Sequence, residues 1–109
     1  MVKLLVVDIA ALGYRFWERH CKAEFWKGLR PRPVETVFPA LTCPAQASFR
    51  TAAPPSEHGI VANGFYSREL RKTFFWEQSS SLYSGDRIWD GLRKSGGRTG
   101  QICWQNSLG

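Results

Sequence analysis

The chain opens on an unbroken apolar run, Leu4-Leu5-Val6-Val7, closed by Asp8. A short continuous run of this kind predicts a central parallel strand over residues 3–8, buried on both faces. Asp8 then falls at the strand's carboxyl end, where open α/β sheets place their ligands. From Ala10 to Lys27 the spacing turns helical, with Phe16, Trp17, Phe25 and Trp26 as the core-facing stripe, and Gly28, Pro31 and Pro33 stop it. Residues 34–38 alternate weakly and predict a second short strand, ended by Pro39. The run from Leu41 to Phe49 reads as the start of a helix with Pro44 in its first turn, where a missing N–H costs nothing. That puts Thr42 at or next to the N-cap.

Beyond Ala53 the pattern loosens. Residues 53–59 predict a loop, Asn63-Gly64 a turn, and residues 67–85 irregular structure around the aromatic knot Phe74-Phe75-Trp76 and the serine run at 79–81. Asp86 is the expected cap of a helix carrying Ile88, Trp89 and Leu92, with Arg93 and Lys94 in its last turn and Gly96-Gly97 as its stop. Residues 99–104 predict another buried strand. Strands alternating with helices argue for an α/β fold with a growing sheet. With 109 residues there is room for one domain, 1–109. The sheet is cut off before it is complete, so the expectation is an N-terminal fragment of a larger catalytic domain.

Composition narrows the class. Hydrophobic residues make up 43% and charged residues 22%, the balance of a globular protein. No apolar run approaches the ~20 residues of a membrane helix. The opening run resembles the start of a signal peptide, but Asp8 breaks it and no small-residue cleavage site follows, so the expected location is cytoplasmic. Cys21, Cys43 and Cys103 are odd in number and widely spaced, which predicts free thiols. The net charge of +6 would suit a polyanionic partner. The basic residues are scattered, however, and a basic, aromatic-rich nucleic-acid-binding module is the weaker reading.

Two positions carry possible chemistry on physical grounds alone. A carboxylate at a strand end, Asp8, suits a hard divalent metal, yet it could equally cap the following helix. A hydroxyl at a helix N-terminus, Thr42, faces backbone N–H groups and the positive end of the dipole, yet Thr is also a favoured N-cap.

The stretch from Phe38 to Gly64 separates these readings. Pro39-Ala40-Leu41-Thr42, then Thr51-Ala52-Ala53-Pro54, then His58-Gly59-Ile60-Val61-Ala62-Asn63 closely resembles the nucleophile region of the nucleotide pyrophosphatase/phosphodiesterase family, within the alkaline phosphatase superfamily. The resemblance implies an alkaline-phosphatase-like, mostly parallel sheet flanked by helices. It also implies a type I phosphodiesterase acting on a nucleotide or other phosphodiester. By the same resemblance Asp8 is a metal ligand, Thr42 the nucleophile and a metal ligand, and Asn63 an amide donor to a phosphoryl oxygen. Two divalent metal ions, zinc in the first instance, would complete the site.

This sequence departs from the pattern at two places. The family's Thr-Gly is Thr51-Ala52, which costs about 1 kcal/mol if the backbone there takes a positive φ. The Asp-Gly after the first strand is Asp8-Ile9. His20 and His58 match no family ligand, and His58 is expected to fix a loop by hydrogen bonding. Asp86 and Asp90 read as cap and surface acids. With so few ligands the isolated chain is expected to have little or no activity. A phosphonoacetate hydrolase-like C–P hydrolase is the alternative within the superfamily.

Overall fold

The computed structural model describes residues 3–108, in two compact units divided after Glu35. The first unit contains one α-helix, α1 (Tyr14–His20), and a 3₁₀ turn over Glu24–Trp26. The second holds α2 (Thr42–Thr51), α3 (Pro55–His58), β1 (Gly64–Ser67), β2 (Lys72–Phe75), a 3₁₀ turn over Ser80–Leu82, and α4 (Asp90–Lys94).

The predicted strand over residues 3–8 does not form. Leu4 and Leu5 are 85% and 84% exposed, and the segment has no ladder partner among the described residues. A strand buried on both faces needs neighbours to satisfy its backbone groups, and none pairs with it here. The helix expected over 10–27 is present only in part. A turn at Ile9–Leu12, with Ala11 at φ 60°, delays its start, and Cys21 ends it. The aromatic contacts explain the break. Trp17 and Trp26 meet edge to face with ring centroids 4.5 Å apart. On a continuous helix they would lie about 13–14 Å apart along the axis, so the chain must fold back between them. No described residue of this unit is buried.

The second unit is built around α2. Cys43, Gln46, Ala47 and Arg50 are all buried, and their i, i+3, i+4, i+7 spacing marks one helix face. Two of the four are polar, so this face has to be satisfied as well as covered. Gln46 Oε1 accepts the backbone N–H of Gln105 at 2.9 Å, and Arg50 Nη1 donates to the carbonyl of Asn106 at 3.1 Å. Phe49 and Trp104 pack with centroids 5.5 Å apart. These contacts account for the missing strand at 99–104. The segment serves the polar face of α2 through an irregular backbone, with Cys103 and Asn106 at positive φ, and Ile102 is left 85% exposed.

The strand expected over 34–38 is likewise absent. By contrast, residues 72–75, expected to be irregular, pair antiparallel with β1: Gly64 opposite Phe75, Phe65 opposite Phe74, Tyr66 opposite Thr73 and Ser67 opposite Lys72. Phe65 and Phe74 stack across the pair at 5.3 Å, the cross-strand aromatic contact that stabilises small sheets. Gly64 is required at its position, since a Cβ there would lie 2.6 Å from the Phe74 carbonyl oxygen. The expected loop at 53–59 contains α3, with Pro55 as its first residue and Gly59 as its left-handed cap at φ 83°. The last helix starts later than expected, at Asp90 instead of after Asp86. Asp90 Oδ2 accepts the backbone N–H of Arg87 at 2.8 Å, so Asp90 closes the turn that leads into the helix.

The chain thus mixes helix and strand, but the mostly parallel sheet is not what the described residues form. Their one sheet is two-stranded and antiparallel, and parallel pairing is limited to an isolated bridge between Ser79 and Leu108.

Candidate functional site

Helix α2 begins at Thr42, with Leu41 as an N-cap that offers no side-chain acceptor. A helix start leaves several backbone N–H groups without partners. One of them, on Cys43, donates to Asn63 Oδ1 at 3.0 Å from twenty residues further along the chain. Because a backbone N–H can only donate, the atom facing it must be the amide oxygen, and Nδ2 is turned the other way. The helix cap that the local sequence lacks is therefore supplied by tertiary contact, and it joins Asn63 to the residue following Thr42. Both residues are half-buried. Neither the Thr42 hydroxyl nor Asn63 Nδ2 takes a hydrogen-bond partner among the described residues.

The segment that carries Asn63 is pinned to α2 a second time, through His58. Its ring is almost fully buried, at 1% exposure. Nδ1 accepts the backbone N–H of Ile60 at 3.1 Å, and Nε2 lies 2.8 Å from Ser48 Oγ. An Nδ1 that accepts carries no proton, so Nε2–H is the donor to the serine. This tautomer rules out Ser48 and His58 as a nucleophile–base pair, since a base would have to present its bare nitrogen to the hydroxyl. Burial pushes the His58 pKa down, opposed by Glu57, which favours the neutral ring. The carbonyl of His58 accepts the N–H of Ser84 at 3.1 Å. The loop-fixing role expected of His58 is what the geometry shows.

The C-terminal end of α2 bears out the cost anticipated at Ala52. That residue is left-handed, with φ 52° and ψ 30°, at the position where glycine is preferred. Cys43, beside Thr42, could compete as a nucleophile. Burial raises its thiol pKa, however, with Arg50 opposing, so the thiolate that would attack is disfavoured. All three cysteines are free, as expected.

Asp8 is exposed and belongs to the first unit. Within the second unit the structure brings together Thr42 and Asn63. Among the described residues no three or more His, Cys, Asp or Glu side chains gather as a metal centre. None of their helices is long and apolar enough to cross a membrane. The residues that sequence reasoning missed are Gln46 and Arg50. Their signal was helical spacing with Cys43 and Ala47, hidden because polar side chains rarely mark a core face.

The sequence profile described as "Type I phosphodiesterase / nucleotide pyrophosphatase" matches residues 21–108. The chain is 33% identical over 87 residues to "Bis(5'-adenosyl)-triphosphatase enpp4" of Xenopus laevis, a match covering 77% of this chain and 19% of that protein. It is 28% identical over 87 residues to "Ectonucleotide pyrophosphatase/phosphodiesterase family member 1" of Homo sapiens, covering 76% of this chain and 9% of that one. The chain thus spans less than a fifth of either curated relative. No solved structure matches it significantly.

Proposed function

This chain belongs to the type I phosphodiesterase/nucleotide pyrophosphatase family, and from that premise we propose that it carries the nucleophile segment of a phosphoester hydrolase. Thr42 is the nucleophile. Its Oγ forms a bond to phosphorus as the bond to the leaving oxygen breaks in line, the Oγ proton ending on the departing alcohol, and water later cleaves the threonyl phosphate ester and returns a proton to Oγ. Asn63 Nδ2 donates to a non-bridging oxygen, where charge builds in the transition state. Substrates are nucleotide-type phosphodiesters, in keeping with the family and with the activities for which its relatives are named.

The observation that carries this reading is the Asn63 Oδ1 bond to Cys43 N–H at 3.0 Å. It holds the amide beside Thr42 with Nδ2 available, and it is satisfied by residues from two separate motifs.

The two-zinc site implied by the resemblance is a different matter. Threonine needs help to ionise, and a divalent metal would supply it. The donor set present does not fit two metals: among the described residues no three candidate ligands converge. The isolated chain is therefore proposed to turn over slowly or not at all.

The test uses the longest reading frame containing these residues, assayed with zinc and an aryl phosphodiester. Thr42→Ala should reduce turnover to background. Asn63→Ala should lower kcat by about 100-fold, the usual effect of losing one such donor. Mass spectrometry of the Thr42 peptide should reveal a phosphoryl adduct in the unaltered protein. Full activity in Thr42→Ala would sink the proposal.

A further inference from the structure

On the Arg50 side of α2 lies a cleft of about 210 Å³ whose lining includes Arg50, Tyr83, Arg87, Asp90 and Arg93. Its charge is unbalanced, with three guanidiniums against the single carboxylate of Asp90. The Tyr83 ring is faced by two of these cations, with the Arg87 guanidinium carbon 4.0 Å and the Arg50 guanidinium carbon 4.6 Å from its centroid. A single aromatic ring can offset part of one such charge; here it serves two.

Arg50 is the more telling of the pair. It is completely buried, and fully buried arginines are rare unless paired with a charge. Nη1 donates to the Asn106 carbonyl at 3.1 Å and reaches Gln101 Oε1 at 3.5 Å. Nε and Nη2, also buried, have no acceptor among the described residues. Among the described residues no carboxylate faces this guanidinium, and burial pushes its pKa down, with Arg87 adding to the effect. Arg87 donates to the carbonyls of Gly85 and Ser80, both neutral. Asp90 accepts a backbone N–H from Arg87.

We infer that this cleft is a binding site for a small oxyanion of the phosphate class, held by Arg87 and Arg93 over the buried charge of Arg50. A phosphate would accept from the Arg87 and Arg93 guanidiniums that reach the cleft, in the fork geometry that guanidinium favours, while the buried charge of Arg50 adds attraction from beneath. Size limits the ligand. Sites for drug-sized molecules begin near about 300 Å³, so a free orthophosphate fits and a whole nucleotide does not. The site is separate from the Thr42 reading and does not depend on it.

Orthophosphate titrated into the 109-residue chain at constant ionic strength, followed by ¹⁵N NMR, tests the site. Saturable shifts are expected at the Arg50 Nε–H and at the indole N–H of Trp89, which also lines the cleft, with half-saturation in the millimolar range or below. Arg87→Gln should weaken binding about tenfold, as expected for losing a charge-assisted donor. Arg93→Gln, at the exposed end of α4, should weaken it less and leaves the fold intact, so it decides the matter if Arg87→Gln is unstable. Thr42→Ala should leave these shifts unchanged. Three results would overturn the inference: shifts that never saturate, affinity unaltered in Arg93→Gln, or shifts confined to the Cys43 and Asn63 amides. The last would place the anion at the start of α2 and leave the hydrolase reading standing.

Discussion

Helices α1 and α2 differ less in length than in what holds them. Helix α1 has seven residues, none of them buried, and its contacts are local: Phe16 on His20, and Lys22 on the carbonyl of Glu18. Helix α2 has ten, half of them buried, and its partners come from far along the chain. Asn63 caps its first turn, His58 reaches Ser48, and residues 101–106 meet Gln46 and Arg50. Local propensity does not account for the second helix, since Thr42, Cys43 and Thr51 are modest formers and the start lacks its own cap. It is held by polar side chains that find partners only in the folded unit. Polar anchors are directional, and direction is what a phosphoryl-transfer site requires.

The contrast can be tested by breaking the α2 anchors one at a time. The largest effect should follow His58→Ala, which empties a buried site and strands the Ile60 N–H and the Ser48 hydroxyl. A loss of about 3 kcal/mol is expected in urea unfolding of the chain. The same anchor makes stability pH-dependent. Burial holds the folded pKa of His58 below its unfolded value of about 6.5, so the unfolded state takes up the proton first. Stability should be complete above that value, decline as pH falls through the window below it, and level off beneath the folded pKa. A His58→Gln variant should flatten that slope; an unchanged slope would count against His58 as its source.

Asn63 comes next. Asn63→Ala removes the cap and should lower stability by about 1 kcal/mol. Asn63→Asp keeps an acceptor for Cys43 N–H and adds a charge favoured at a helix N-terminus, so stability should hold within about 0.5 kcal/mol. Turnover of the extended protein should nonetheless fall as far as in Asn63→Ala, because the donor is gone. Equal loss of stability in both variants would mean that the cap is not what Asn63 contributes.

Ala52→Gly works in the opposite direction. Relief of the left-handed alanine should raise the unfolding free energy by about 0.5–1 kcal/mol. The smallest effect belongs to the first unit. Leu5→Ser, at a position 84% exposed, should change stability by less than about 0.5 kcal/mol. A larger loss there would erase the distinction between the two units.

Much of the site was legible from the sequence because its signals are local. Pro44 in a first turn located the start of α2, and Ala52 stood where the backbone wants glycine; Asn63-Gly64 read as a turn, but Gly64 opens β1 and the hairpin turn lies at 68–71. The strands were read less well. The apolar runs at 3–8 and 99–104 have the composition of buried strands, but a strand exists only when another pairs with it. β2 was overlooked because Lys72-Thr73-Phe74-Phe75 gains its order from facing β1.

By itself the sequence determined the family, the identity of Thr42 and Asn63 as candidates, and the strain at Ala52, since each depends on residue type and short spacing. Only the tertiary structure decided that Asn63 caps the helix of Thr42, that His58 is a donor to Ser48, and that Arg50 is buried with no counter-charge among the described residues. Hydrogen bonds have direction and range limits of a few ångströms. Whether residues twenty or fifty positions apart satisfy them is settled by packing, which no local pattern encodes.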